Sequence, residues 1–255
     1  MKYLMPKPPL VTSKKYYRLF DLPSSKAICA FSSRNLKNMS LSYGDTSESL
    51  KNRENFLKEL DIDYRDLVCA RQIHANSIKY VQEEYKGKGA LSSESAIEDT
   101  DAFITDKRNV PLAIFTADCP SLFLYDPKTP AIGLVHAGWR STRENILTKA
   151  IKSIQEKFNT LTEYLYVGFG PAIRSCCYEV GKEFVNFFPG DIIQRDKHYY
   201  LDLVSINKRQ ALRNGVKEIN IFDSGICTFC HNEEFFSYRK EGKPCGRQMS
   251  VIMLR

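Results

Sequence analysis

The chain has no long apolar run. No stretch of its 255 residues approaches the length that crosses a bilayer as a helix, so no spanning helix and no membrane partner are expected. Its opening residues are interrupted by Lys2, Pro6, Lys7 and Pro8 and lack the apolar core of a secretory leader. A cytoplasmic, reducing setting is the expectation. There is no dense block of lysine or arginine either, although the formal net charge is +7. Nucleic acid is therefore not an expected partner, and the surplus reads as solubility or as attraction for small anions. GxGxxG, P-loop, GxSxG and HExxH patterns are all missing. Their absence removes the usual nucleotide cradles, the serine-hydrolase elbow and the one-helix zinc site. No repeat, linker or composition break divides the chain. One domain over 1–255 is expected, with an irregular segment at 1–24.

What the chain does have is eight cysteines, four histidines and one tryptophan. In a reducing compartment the cysteines read as thiols or ligands rather than disulfides. Three ligand-type residues follow apolar, β-forming runs that stop at turn residues. Cys119 follows Leu112-Ala113-Ile114-Phe115, His136 closes Ala131-Ile132-Gly133-Leu134-Val135, and His74 comes after Leu67-Val68-Cys69-Ala70. Two imidazoles and a thiolate form a set that zinc accepts, with a fourth position left for water or substrate. The same residues also allow a Cys119 thiolate nucleophile paired with His136 or His74. Asp118 either orients a ligand and shuttles a proton or bonds its own turn. Arg140 either holds an anion or packs on Trp139.

Periodicity and breakers predict the remaining elements. Strands are expected at 26–33, 67–74, 77–82, 100–105, 112–116, 164–169, 199–203, 218–222 and 249–254. A hairpin joins 121–125 to 131–136 across the Asp126-Pro127-Lys128-Thr129-Pro130 turn. Helices are expected at 48–60 behind a Ser47 cap, at 178–188 and at 205–213. Another opens at a Ser141-to-Glu144 capping box and carries Ile146, Ala150, Ile151, Ile154 and Phe158 on one face. That would put the His136–Arg140 turn at a helix N-terminus, which favours anions. Residues 86–99 read as a polar loop. The mix points to an α/β-mixed fold with many hairpins and not a strict βαβ array. Cys227 and Cys230 form a CxxC whose matching second pair is missing, while the adjacent Cys176 and Cys177 read as buried apolar thiols.

Several short motifs together resemble one family. Gln72-x-His74, Asp101-Ala102, Thr116-Ala117-Asp118-Cys119-Pro120, His136-Ala137-Gly138-Trp139-Arg140, Gly170-Pro171-Ala172-Ile173, Tyr178-Glu179-Val180-Gly181 and Phe236-Ser237-Tyr238-Arg239 with Gly246-Arg247 are similar to the YfiH-type family. That family was first labelled "laccase domain" or polyphenol oxidase. It is now regarded as purine nucleoside phosphorylase with adenosine deaminase and methylthioadenosine phosphorylase activity. The resemblance runs from about Ala30 onward. It implies an α+β fold, a layered αββα sandwich with mixed sheets similar to cysteine hydrolases. It also implies zinc held by His74, Cys119 and His136, and Arg53 lining the substrate site, where the alternative is an exposed helix arginine; Arg140 joins it as the anion-binding candidate read from the chain itself. The implied substrates are purine nucleosides and inorganic phosphate, and the catalytic set is Cys119, His74, His136 and Asp118. A Cys119–His136 amidohydrolase is the alternative, and monomer and homodimer stay open. Two departures stand out: Ser141 where the family usually has Gly, and Ser40-Leu41 where it usually has Asn-Leu. The laccase label fails a count. Four histidines cannot supply a two-histidine copper centre and a multicopper cluster as well.

Overall fold

Strands that are apolar on both faces must be covered on both faces, and that requirement organises the chain. A computed structural model describes residues 11–13, 16–18 and 26–255. Sheet one runs β1 (Val11–Ser13), β2 (Tyr16–Arg18), β3 (Ala27–Ser32), β15 (Gln248–Leu254), β7 (Leu112–Thr116) and β4 (Val68–Cys69). Sheet two runs β14 (Ile221–Asp223), β10 (Tyr166–Phe169), β8 (Ser121–Asp126), β9 (Ala131–His136), β6 (Ala102–Thr105) and β5 (Ile78–Tyr80). A small third sheet holds β11 (Glu179–Val180), β13 (His198–Tyr200) and β12 (Ile193–Arg195). Both large sheets are mixed: β4 lies parallel to β7, β5 to β6 and β14 to β10, and the other pairs are antiparallel.

Alternation along each strand assigns the layers. Phe31, Leu112, Ile114 and Ile252 of sheet one meet Phe103, Phe123, Tyr125 and Leu134 of sheet two in the middle of the sandwich. The other faces receive helices. Phe56 and Leu57 of α1 (Thr46–Lys58) pack with Ala30, Val251 and Met253. Helices α3 (Ile146–Phe158) and α5 (Leu203–Arg213) cover Leu122, Leu124 and Val135 through Ile151, Ile154 and Val204. The result is the αββα sandwich that the resemblance implied. Gly133 lets α3 sit close, because a methyl there would lie 3.1 Å from Leu124 Cδ1 and 3.2 Å from Ile154 Cδ1. No helix among the described residues is long and apolar enough to cross a membrane.

Local expectations fail where a distant partner intervenes. The cap of α1 is Asp45, not Ser47, and its carboxylate accepts from Glu48 N–H at 2.7 Å. Ser141 opens no helix. It lies inside α2 (Trp139–Arg143) behind Gly138, with its hydroxyl bonded to the carbonyls of His136 and Gly138. Asn145, in the left-handed conformation, then separates α2 from α3. The predicted helix at 178–188 is mostly replaced by β11, which pairs with β13, and by the short α4 (Phe184–Phe187). Phe184 and Phe187 there lie against Trp139, with ring centroids at 5.1 and 5.7 Å. Strand pairing at 67–74 stops after Cys69, apart from one bridge from Ala70 to Ile97. Residues 218–220 form a 3-10 turn before β14. Within the segment expected to be irregular, β1 and β2 form an antiparallel pair; its other residues lie outside the described ones.

One ion-pair cluster fixes the loop after β10. Arg174 grips Asp223 with both terminal nitrogens, at 2.9 and 3.0 Å, and Lys208 adds a third contact at 2.6 Å. Burial pushes the Asp223 carboxyl up, but Arg174 and then Lys208 outweigh it and bring it down to about 2. A carboxyl lowered on folding adds stability above its unfolded pKa and loses it as pH falls through the folded one. Asp223→Asn is therefore expected to cost about 2 kcal/mol near neutral pH. The gap to wild type should close as pH falls from about 4 to about 2, which denaturant unfolding at several pH values checks.

Candidate active site

The site forms where β7, β8 and β9 end or begin. Cys119 sits in the turn from β7 to β8, and His136 is the last residue of β9, directly opposite Ser121 in the sheet register. His74 arrives from the loop after β4. The ligand atoms of His74, Cys119 and His136 all lie within 4.8 Å of one another. His74 Nε2 is 4.0 Å from the Cys119 sulfur, and the two imidazole rings meet edge to face at 4.6 Å. Gly138 makes the convergence sterically feasible. A methyl in place of its hydrogen would sit 2.7 Å from His74 Cδ2 and 3.5 Å from the Cys119 sulfur.

Asp101 holds the assembly together, and no sequence reading had assigned it a role. It is fully buried at the start of β6. Its Oδ1 bonds His136 Nδ1 at 2.7 Å and accepts from the His74 main-chain N–H at 3.0 Å. Its Oδ2 accepts from Ile73 and Ala75 N–H. Three successive N–H groups thus wrap one carboxylate. They stabilise a left-handed backbone at His74 (φ 60°) that costs about 1 kcal/mol or more when unsupported. The expectation that His74 ends a strand is corrected here: it rides on a carboxylate-bound turn. With Nδ1 committed to Asp101, His136 offers Nε2 to the site, as metal-ligating histidines usually do when a carboxylate holds their other nitrogen. The clue in the sequence was an aspartate directly before an apolar β run.

Electrostatics follow from this geometry. Burial pushes the Cys119 thiol up, but hydrogen bonds to His136 and His74 more than offset it and bring it down to about 6. Burial lowers His136, while Asp101 and Cys119 raise it to about 9. Burial works to raise the Asp101 carboxyl, and His136 with the wrapped N–H groups leaves it below the ordinary range. Without a metal, the site is a thiolate–imidazolium pair anchored on a carboxylate.

The other expected residues are placed differently. The Asp118 carboxylate accepts from Thr228 Oγ1 and from Arg239 N–H, each at 2.7 Å, and so ties the Cys119 turn to two remote segments rather than reaching either histidine. Arg140 is exposed and stacks on Trp139 at 4.4 Å; its α2 is a five-residue helix, too short for the anion site expected there. Arg53 is buried, not an exposed helix residue. It donates to the carbonyls of Met39, Gly89 and Ala90, stacks on Phe115 at 4.6 Å and lines a cavity of about 240 Å³ with Ser40, Ser42 and Arg71. A second cleft is walled by Trp139, Tyr178, Phe184 and Arg239. Burial and then the Cys119 charge raise the Tyr178 hydroxyl to about 12, so it keeps its proton at neutral pH.

A thiol and two imidazoles converge over a buried carboxylate, and the kinship that follows makes the chain an enzyme. It belongs to the family described as multi-copper polyphenol oxidoreductase laccase, whose model matches residues 29–255. It is 31% identical over 217 residues to purine nucleoside phosphorylase YlmD of Bacillus subtilis, covering 82% of this chain and 78% of the relative. It is 29% identical to adenosine deaminase RL5 of an unknown prokaryotic organism, covering 82% of each. The crystal structure of the Bacillus licheniformis hypothetical protein YfiH superposes with a TM-score of 0.91 at 26% identity, over 96% of this chain and 98% of that one. Among the described residues the four histidines do not gather into a multicopper cluster of the kind the family description names. His198 pairs with Glu179 and His231 lies near Glu233, each exposed and engaged elsewhere.

Alkylation of metal-free protein tests the site. The thiolate fraction rises with pH through the folded pKa, so iodoacetamide should modify Cys119 with a midpoint near pH 6, where an ordinary thiol needs a pH of about 8.5. Asp101→Asn should move that midpoint upward and weaken zinc binding about 10- to 100-fold, as read by competition with a chromogenic chelator.

Proposed function

We propose that the chain is a zinc-dependent purine nucleoside phosphorylase, acting on adenosine, inosine, guanosine and methylthioadenosine, that also deaminates adenosine. The observation that carries this reading is the convergence of His74, Cys119 and His136 on one point. The donor set is chemically suited to zinc, which takes imidazole and thiolate ligands, and the Asp101 bond leaves the His136 Nε2 free to coordinate. A zinc ion held there supplies Lewis acidity at the reacting atoms.

The remaining work falls to the side chains. Trp139, Tyr178 and Phe184 offer flat walls for a purine, and the protonated Tyr178 hydroxyl can donate a hydrogen bond to it. Arg140 makes no ion pair among the described residues and is a candidate for the anion, as is Arg53 in its own cavity. Asp118 acts by position, fixing the turn that presents Cys119. In phosphorolysis a phosphate oxygen bonds to ribose C1′ as the glycosidic C–N bond breaks, and the proton that phosphate loses ends on the departing base. In deamination a water oxygen adds at adenine C6; one proton of that water goes to the amino group, which leaves as ammonia when its C–N bond breaks, and the other stays on the inosine ring. The names of the relatives support both reactions.

A second reading has its own support in the acidic Cys119 thiol: an amidohydrolase in which Cys119 attacks a carbonyl with His136 as acid and base. The two are separable. Purified protein should contain zinc and release free adenine from adenosine only when phosphate is present, with inosine formed in its absence. Cys119→Ala should lose that zinc and both products, by at least about 100-fold. Full turnover by metal-free protein, abolished by alkylation, would instead establish the cysteine nucleophile.

A further inference from the structure

The motif that sequence reading set aside as an unmatched CxxC finds its partners in space. Cys176 and Cys177, expected to be buried apolar thiols, are exposed and half-buried respectively. Their sulfurs lie 3.7 and 3.3 Å from that of Cys230, and the sulfurs of Cys176, Cys177, Cys227 and Cys230 all fall within 4.8 Å of one another. We propose that these four cysteines form a second, structural metal site, a tetrathiolate centre for zinc that is separate from the His74–Cys119–His136 site.

Geometry, surroundings and topology each support it. Tetrahedral zinc with sulfur bonds of about 2.3 Å needs sulfurs about 3.8 Å apart, close to the spacings present, so small rotations of the side chains would suffice. Four thiolates around one divalent ion leave a net charge of −2, which must be stabilised from outside. Main-chain N–H groups of Cys230, Arg174 and Phe229 point at the Cys227 sulfur. Lys240 bonds the Phe229 carbonyl, and Arg195 bonds that of Ser175. Both ligand pairs sit on built turns. Cys177 and Tyr178 N–H groups share the Arg174 carbonyl, His231 N–H bonds the Cys227 carbonyl, and Ala172 bridges to Cys227. Cys176 and Cys177 are adjacent, which looks unfavourable on paper. Here the turn directs both sulfurs to the same neighbour. Loading the site binds one divalent cation and releases up to four thiol protons.

Such a centre would clamp residues 174–177 to residues 227–230. Thr228, inside the second segment, bonds Asp118 next to Cys119, and Tyr178, next to the first, walls the cleft. The metal would therefore brace the catalytic side without touching substrate.

Metal counting on protein purified under reductant tests the site. Two zinc equivalents per chain are expected in wild type, one in Cys119→Ala and one in Cys230→Ser. Cobalt-loaded Cys119→Ala should show the intense visible bands of a tetrahedral tetrathiolate complex, and Cys230→Ser should lack them and melt several degrees lower. Retention of one equivalent in Cys119→Ala and its loss in Cys230→Ser would uphold this site even if the wild type holds only that one. A metal-free Cys119→Ala that binds no cobalt through sulfur would overturn it. So would disulfides among the four cysteines, seen as a mass deficit after alkylation.

Discussion

One buried carboxylate sets the geometry of this site. Asp101 takes a hydrogen bond from the imidazole of one histidine and from the main chain around the other, so two side chains 62 positions apart in sequence share one reference point. A carboxylate sealed from water is costly unless its oxygens are well occupied, and here N–H groups and an imidazole occupy them. The desolvation cost is thereby turned into rigidity. Neither histidine can move far without leaving the buried charge short of a partner. That is how a loop residue with left-handed backbone can be as well placed as one at the end of a central strand.

The sandwich explains why Asp101 can play this part. Between the two sheets the core is mostly apolar, and polar groups collect towards the strand ends, where β6 starts and β7 and β9 finish. Outer helices cover the remaining faces and keep water from the flanks. The Cys119 turn is then pinned by Asp118 to Thr228 and Arg239, segments from the far end of the sequence. The site is thus supported from both sides, by Asp101 beneath the histidines and by Asp118 beside the cysteine.

Much of this was legible in the sequence because it is local. Apolar runs that stop at turn residues located β7, β8 and β9, and with them Cys119 and His136. The Asp126-to-Pro130 turn gave the hairpin, and i, i+4 spacing gave α3. What was not legible depended on distant partners. His74 looked like a strand end because Leu67 to Ala70 is apolar, yet pairing stops when Asp101 captures the following N–H groups. The stretch 178–188 has helical spacing of aromatics, but pairing of Glu179 and Val180 with β13 competes successfully for its start. Nothing local told a substrate-site Arg53 from an exposed helix arginine, since only the folded loops at Met39 and Gly89 supply the carbonyls that bury it. The four clustered cysteines were hidden for the same reason: Cys177 and Cys230 lie 53 positions apart, and no spacing rule connects them.

Strand β15 has a consequence for how this protein is made. Residues 248–254 lie between β3 and β7, bonded to both along nearly their whole length. Until they leave the ribosome, two open edges face each other across a gap as wide as one strand, and such edges readily recruit other chains. Sheet one is therefore closed only after β3 and β7, and every strand between them in sequence, have been made. A lesion confined to residues 248–254 would leave both edges unpaired at once, and would do more harm than one in many surface loops.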